Sequence, residues 1–273
     1  MLVRFWGVRG SIACPGRDTL RYGGNTSCVE VRCGEHLFIF DAGTGLRNLG
    51  KALAMDSAPV DADIFCSHTH FDHICGIAFF APCFDKANRL RFWGAAPLSG
   101  GACIEDILIR SLSEPFLPDL PAAMSAKISF QDFQTNETLT PRPGVVVHTG
   151  ALNHPGHATG YRLEWGGRAV AYITDTEHRA DGLDPTVLAL INGVDLMIYD
   201  ATYTDAEYCY HIGWGHSTWE EAVRLAEAAS VKQVALFHHD PSHTDDMMDQ
   251  LAAQIASTHD DVVLAREGMA FSL

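Results

Sequence analysis

Residues 62–73 of the chain, ADIFCSHTHFDH, join an apolar run to four potential metal ligands. The run has the length and composition of a buried β-strand. In the extended end of that strand, His68 and His70 point to the same side because successive side chains alternate. Asp72 and His73 follow where the chain turns toward a helix. This spacing predicts two adjacent metal positions with two protein ligands each, since a metal removes the cost of crowding imidazoles and a carboxylate together.

Later strand-like runs also end in Asp or His and offer further ligands. They are GVVVHTGALNH (144–154), RAVAYITDT (168–176), VDLMIYDAT (194–202) and VKQVALFHHD (231–240). Their ends supply His154, Asp175, and either His238 or His239. A carboxylate such as Asp175 can bridge two cations, which suits a two-metal site that holds a shared hydroxide. We therefore expect these strand ends to complete the metal site.

Composition limits the classes of protein to which the chain can belong. Of its 273 residues, 47% are hydrophobic and 19% charged, which is typical of a globular protein and excludes a disordered or fibrous one. The 34 acidic and 19 basic residues give a formal net charge of −15, so an extended nucleic-acid partner is not expected. The 14 histidines are the unusual count, because imidazole is the commonest metal ligand.

The chain also lacks the segments that would direct it to a membrane. No apolar stretch approaches the roughly 20 residues needed to span a bilayer, and the start MLVRFWGVRGS has no signal-peptide pattern. The eight cysteines form no CxxC pair and are expected to be reduced. These features predict a cytoplasmic protein with no membrane partner, and they leave a homodimer open.

Strands alternate with helices along the chain, which predicts an α/β layered protein forming one domain over residues 1–273. A capping box at Thr218 predicts a helix over 218–229, and Thr244 begins a second one. The proline-rich region 81–143 interrupts this rhythm. We interpret it as an insertion, helical in part over GGACIEDILIRSL (100–112), that forms a lid or a wall over the site.

Several motifs of the chain resemble those of one known protein family. HTHFDH, followed in order by NHPG, TD and LFHH, resembles the metallo-β-lactamase fold of binuclear metallohydrolases. The likeness extends from FWGVRGS near the start to FHHDPSHTDD near the end. FDAGTGLRNLG (40–50) and GHSTWEEAVRLAEAA (215–229) look most like the ribonuclease Z and cyclic-nucleotide phosphodiesterase branch. The resemblance implies a four-layer αββα sandwich with metals at one edge.

The resemblance also implies roles for the individual residues. The first metal would be bound by His68, His70 and His154, and the second by Asp72, His73 and His238, with Asp175 bridging them. His238 is chosen over His239 because it comes directly after the apolar strand. Asp72 and His216 would be catalytic, and His216 would stabilise the phosphoryl transition state or protonate the leaving alkoxide. Asp41 and Asp200 would accept hydrogen bonds from imidazole ligands.

We therefore expect a binuclear hydrolase that cleaves a small nucleotide or another phosphodiester through a hydroxide bridging two divalent ions. Zinc suits the ligands best, and manganese or iron are compatible. Substrate specificity would reside in the 81–143 segment and in an aromatic group before GHST. That group consists of Tyr203, Tyr208, Tyr210, His211 and Trp214.

Three alternatives follow from the same residues. A ribonuclease Z-like endonuclease acting on transfer-RNA 3′ ends is disfavoured by the net charge and by the lack of a basic arm. A carbon-ester or thioester hydrolase of the lactonase or glyoxalase type would use the same ligands, but His216 serves phosphoryl chemistry better. A metal-stabilised binding domain would not be expected to retain a complete ligand set.

Overall fold

The computed structural model describes residues 1–56, 58–96 and 101–273. Within them, two seven-stranded sheets pack face to face. The first sheet comprises, in spatial order, β14 (Ala270–Ser272), β1 (Leu2–Gly7), β2 (Cys28–Cys33), β3 (His36–Phe40), β4 (Asp61–Phe65), β5 (Arg89–Ala95) and β6 (Lys127–Phe133). The second comprises β13 (Val262–Leu264), β12 (Val234–Phe237), β11 (Leu196–Asp200), β10 (Arg168–Ile173), β9 (Ala158–Trp165), β8 (Val145–Leu152) and β7 (Thr138–Arg142).

Helices cover the outer faces of both sheets. The described α-helices are α1 (Gly45–Leu53), α2 (Phe71–Ile74), α3 (Ile104–Ser111), α4 (Pro185–Ile191), α5 (Asp205–Tyr208), α6 (Trp219–Ala228) and α7 (Asp245–Ala256), and three short 3-10 helices span Arg17–Thr19, Cys75–Phe79 and Ala81–Phe84. α1 and α3 pack on the first sheet, whereas α4, α6 and α7 pack on the second. An aromatic core, which includes Phe40, Phe65 and Tyr172, fills the space between the sheets. The order of layers is therefore αββα, as the resemblance implied.

Both predicted C-terminal helices are present and begin at the expected caps. Thr218 accepts the backbone N–H of Glu221 at 3.1 Å, and α6 follows directly. Thr244 likewise caps α7 by accepting the backbone N–H of Met247. Each of these hydrogen bonds satisfies a donor that the first helical turn would otherwise leave free.

The 81–143 segment contributes more regular structure than its prolines indicate. Its described part contains β5, β6 and β7, and β5 lies between β4 and the edge strand β6 of the first sheet, parallel to both. The helix expected over 100–112 is α3, while Pro97 and Gly100 lie outside the described residues. The segment therefore contributes strands to both sheets. Its status as an insertion stays a prediction.

The sheet topology gathers the polar strand ends at one edge of the sandwich. β3, β4 and β5 run parallel in the first sheet, as do β10, β11 and β12 in the second. The carboxyl ends of parallel neighbours meet at the same edge, so the residues that follow these strands come together.

None of the described helices is long and apolar enough to cross a bilayer. All eight cysteines carry free thiols.

Candidate metal centre

The seven predicted ligands converge in one cluster, in which His70 is exposed and the other six side chains are buried. His68, His70 and His154 form one trio of ligand atoms that lie within 4.8 Å of one another, and Asp72, His73 and His238 form another. The first trio has contacts of 2.9 Å from His68 Nε2 to His70 Nδ1 and 3.2 Å from His154 Nε2 to the same atom. In the second trio, His73 Nε2 lies 3.1 Å from Asp72 Oδ2.

Asp175 lies between the two trios and presents one oxygen to each. Its Oδ1 is 3.7 Å from His68 Nε2 and 3.8 Å from His154 Nε2. Its Oδ2 is 3.2 Å from His73 Nε2 and 3.3 Å from His238 Nε2. This is the arrangement that a bridging carboxylate requires.

The donor atoms of this cluster suit divalent cations. Nε2 of His73 and Nε2 of His238 are fully buried and have no hydrogen-bond partner. Unpartnered buried nitrogens are rare in folded proteins because each carries a desolvation cost. Imidazole nitrogens together with carboxylate oxygens are the ligands that zinc takes in proteins. The residues present therefore fit the expected metal ions.

The electrostatic setting of the cluster differs between its ligands. Although burial opposes protonation of His73, the carboxylates of Asp175, Asp41 and Asp72 hold its pKa well above the usual range, so binding of a cation there would release a proton. Burial and the neighbouring imidazole of His73 lower the pKa of His68, and burial lowers the pKa of His154. Although burial opposes ionisation of Asp175, the imidazoles of His238 and His73 hold the pKa of that carboxyl well below its usual range. Neutral imidazole and ionised carboxylate are the states that coordinate a cation.

Hydrogen bonds at the opposite nitrogen orient the first-sheet ligands. His73 Nδ1 donates to Asp41 Oδ2 at 2.7 Å. His68 Nδ1 lies 3.0 Å from Ser67 Oγ, which in turn donates to Asp41 Oδ2 at 2.8 Å. Asp41 thus holds one ligand from each trio, one of them through Ser67. Such contacts fix the ring and its tautomer so that the other nitrogen faces the metal.

Similar hydrogen bonds orient two ligands from the second sheet. His238 Nδ1 lies 3.1 Å from Thr202 Oγ1, which lies 2.7 Å from Asp200 Oδ1. His154 Nδ1 donates to the backbone carbonyl of Gly215 at 2.8 Å. Sequence reasoning pointed to Asp41 and Asp200 but missed the hydroxyls of Ser67 and Thr202. The available signals were that Ser67 directly precedes the ligand His68 and that Thr202 follows the strand-end Asp200 by two residues.

His216 lies beside the cluster and is held by Asp200. Its Nδ1 donates to Asp200 Oδ2 at 2.9 Å. Its ring centroid is 5.3 Å from that of His154 and 4.9 Å from that of His238. Burial alone would lower the pKa of His216, but the Asp200 carboxylate raises it to about 9. The Asp200 carboxylate therefore both positions this imidazole and favours its protonated form.

His239 turns away from the cluster. Its Nε2 donates to the backbone carbonyl of Ala265 at 2.8 Å, and the side chain is buried. Burial lowers the pKa of His239 to about 3, so the ring is neutral. Of the two neighbouring histidines, only His238 contributes to the trios of ligand atoms found among the described residues.

The N-terminal segment supports the cluster in a way that sequence reasoning missed. The backbone N–H of Ser11 donates to Asp72 Oδ2 at 2.9 Å. A Cβ atom on Gly10 would lie 2.3 Å from Cε1 of His238, so the ring packs directly on the glycine backbone. The buried Arg9 side chain anchors this segment by donating to the carbonyls of Gly23, Asp240 and His243. The only sequence signal was Gly10, the second glycine in FWGVRGS.

The aromatic group before GHST is partly packed and partly exposed. Tyr203 is buried and stacks on His211, with ring centroids 4.2 Å apart. Tyr210 and Trp214 are exposed on the same loop. The backbone N–H groups of Gly213 and Gly215 both donate to Glu177, which holds this loop next to His216.

Comparison with known proteins identifies relatives over nearly the whole chain. Residues 36–239 match the sequence model of the β-lactamase superfamily domain. A ribonuclease Z from Bacteroides thetaiotaomicron is 22% identical, over 93% of this chain and 91% of that protein. A ribonuclease Z from Parabacteroides distasonis is 26% identical, over 93% of this chain and 95% of that protein.

Solved structures share the same architecture. The metallo-β-lactamase fold protein YhfI from Bacillus subtilis has a TM-score of 0.72 at 19% identity and covers 99% of this chain and 98% of that one. A diphosphatase of the PhnP family has a TM-score of 0.71 at 16% identity, covering 100% of this chain and 97% of that one. Zn²⁺-bound PqqB from Methylobacterium extorquens has a TM-score of 0.72 at 16% identity and covers 100% of both chains. The predicted αββα sandwich is thereby confirmed.

Proposed function

Because the chain belongs to the β-lactamase superfamily and has the fold of a metal-dependent hydrolase, we propose that it is a binuclear phosphodiesterase. Its substrate would be a small nucleotide or another small phosphodiester. The observation that carries this proposal is Asp175, whose two oxygens face two separate trios of ligand atoms. Two divalent cations bound there, zinc in the first instance, would lower the pKa of the attacking water and offset charge on the phosphoryl oxygens.

The chain's own residues would then orient the reactants. Asp72, expected to be catalytic as well as a ligand, accepts the Ser11 N–H at 2.9 Å, which fixes the direction of its carboxylate. We assign it the orientation of the attacking water.

His216 would donate a proton to the leaving group. Since its Nδ1 donates to Asp200, the nitrogen that can carry a proton to the departing oxygen is Nε2. The Asp200 contact keeps the ring in that orientation through the reaction. Because an alkoxide needs a proton as it leaves and a thiolate does not, this arrangement favours cleavage of a phosphodiester or a carbon ester over thioester hydrolysis.

Turnover of phosphodiesters by metal-loaded protein tests the proposal. We expect hydrolysis of bis(p-nitrophenyl) phosphate or of cyclic nucleotides by the wild type and little by Asp175→Ala. Asp260→Ala serves as the matched control, because that aspartate is exposed and remote from the cluster. Absence of turnover in wild type that has bound metal, or full turnover in Asp175→Ala, would overturn the proposal.

The role of His216 is tested by the choice of leaving group. A positioned general acid contributes about 10²–10⁴ in rate when the leaving group needs a proton. His216→Asn should therefore lose most activity on a substrate that releases an alkoxide and much less on one that releases p-nitrophenolate. Equal losses on both substrates would show that His216 is not the proton donor.

The ribonuclease Z relatives favour a second candidate, cleavage of RNA. The net charge of −15 opposes an extended nucleic-acid interface. Cleavage of a transfer-RNA precursor by the metal-loaded protein, faster than cleavage of small diesters, would favour this candidate.

A further inference from the structure

A small pocket opens beside the first trio of ligands. We name it the side pocket, and its walls include His68, Thr69, Ile104, Ile107, Ala151 and His157. We infer that the side pocket receives the retained arm of the phosphodiester, and that this arm ends in one uncharged six-membered ring. The inference rests on the proposed function and names the substrate class for the same site.

The side pocket adjoins the ligands directly. His68 belongs to its wall, and Thr69 separates that ligand from His70. On the opposite side, the turn after His154 contributes Gly156 and His157. Gly156 passes close to the centre, since a Cβ atom there would lie 3.3 Å from His70 Nε2. A substituent on a phosphorus atom bound at the first trio would therefore reach the pocket without a long linker.

The size and chemistry of the side pocket select its occupant. Its volume is about 160 Å³, and an apolar cavity of about 150 Å³ is known to hold benzene. Ile104 and Ile107 of α3 and the alanines of the walls make most of the lining apolar. Among the residues that the structure describes, the side chains lining it include no carboxylate and no lysine or arginine. These properties suit a single neutral ring and disfavour a charged group or a fused bicyclic ring.

The position of His216 indicates which arm of the substrate enters. His216 is not among the side-pocket residues, and it contacts Asp200 and lies beside His154 and His238. His154 separates the two regions, with its ring centroid 5.0 Å from that of His70 and 5.3 Å from that of His216. The departing arm belongs next to the proton donor, so the side pocket is left for the arm that stays on phosphorus.

Substitutions at Ile107 test the inference, because that residue is only partly buried on a helix at the pocket wall. Ile107→Trp fills the side pocket, and Ile107→Ala enlarges it. Ile109→Trp on the same helix is the matched control, since Ile109 is partly buried but does not line the pocket. The substrates are p-nitrophenyl phosphodiesters with a methyl, phenyl or 1-naphthyl group as the retained arm, so that the leaving group stays constant.

We expect the wild type to have a KM about tenfold lower for the phenyl ester than for the methyl ester, in the range that pocket contacts give. Ile107→Trp should remove this preference by raising KM for the phenyl ester alone, and Ile107→Ala should admit the naphthyl ester. Ile109→Trp should resemble the wild type. Equal KM values for the methyl and phenyl esters in the wild type, or equal effects of Ile107→Trp on both, would overturn the inference.

Binding of diphenyl phosphate and dimethyl phosphate, measured by calorimetry on the metal-loaded protein, separates this inference from the proposed function. Tighter binding of diphenyl phosphate that Ile107→Trp abolishes supports the side pocket even if no diester is hydrolysed, a result that would overturn only the proposed function. Turnover without this difference in binding would overturn only the side-pocket inference. Loss of both turnover and selective binding would overturn both.

Discussion

Replacement of Asp41 by asparagine isolates the contact that orients the ligands from the first sheet. The Asp41 side chain is buried and follows β3 with φ +59°. Asparagine tolerates this left-handed backbone as well as aspartate does, so the substitution leaves the main chain unstrained. Oδ2 of Asp41 accepts from His73 Nδ1, Ser67 Oγ and Tyr172 OH, and Oδ1 accepts from the Ser67 N–H.

The size of the effect that Asp41→Asn should have on stability and on metal affinity follows from these four donors. An asparagine can keep an oxygen toward the three donors at the Oδ2 position, but its NH₂ group then faces the Ser67 N–H. One buried donor left without an acceptor costs about 1–3 kcal/mol of the free energy of unfolding. The acceptor behind His73 and Ser67 also loses its negative charge, and mutation of such a partner behind a metal ligand typically weakens metal affinity about 10–100-fold. Because Ser67 links Asp41 to His68 while His73 contacts it directly, both metal positions should be affected.

Zinc affinity, measured by competition with a chromophoric chelator, and urea unfolding of the metal-free protein test these two effects separately. Tyr172→Phe is the control, since it removes one donor to Asp41 and leaves the contact with His73 in place. We expect its zinc affinity to stay close to that of the wild type. Wild-type zinc affinity in Asp41→Asn would refute the idea that Asp41 positions the ligands.

Three further substitutions probe other parts of the structure. Gly10→Ala places a Cβ atom 2.3 Å from the His238 ring and should displace that ligand of the second metal. Mass spectrometry of the native protein should then find one metal ion per chain, and retention of two ions would contradict this. Thr218→Ala removes the cap of α6 and should lower the free energy of unfolding by about 1 kcal/mol. An unchanged urea midpoint would argue against a capping role. Although burial opposes ionisation, Lys232 and the Ala169 N–H lower the pKa of Asp195 to about 2. The stability it contributes is present above the unfolded pKa of about 3.9 and is lost as the pH falls toward the folded value. Asp195→Asn should therefore destabilise the protein at pH 7 and progressively less below pH 4, and a pH-independent difference in urea midpoint would contradict this.

The parts of the site that were predictable are those encoded over short distances or by the ends of strands. His68, His70, Asp72 and His73 lie within six residues, and no core or surface pattern accounts for them. The later ligands follow apolar runs that could be recognised as strands, and parallel pairing brings such ends together. The preference for His238 over its neighbour rested on one position in the sequence, and the structure places it facing Asp175.

Other features depend on contacts that only the folded chain creates. The Ser11 N–H and Asp72 are 61 residues apart, and Tyr172 and Asp41 are 131 apart. No local pattern connects such pairs. The prolines of the 81–143 segment hid β5 and β6 from the sequence analysis, because these strands gain their stability from pairing in the sheet rather than from local propensity.

Turnover at known metal content tests the central proposal most directly. The measurement is the rate of bis(p-nitrophenyl) phosphate hydrolysis by protein whose zinc content has been determined on the same sample, before and after removal of metal by a chelator and its restoration. We expect two zinc ions per chain, loss of turnover as they are removed, and recovery when they are returned. Two bound ions without turnover of any phosphodiester, or turnover that persists after both ions are removed, would contradict a binuclear phosphodiesterase.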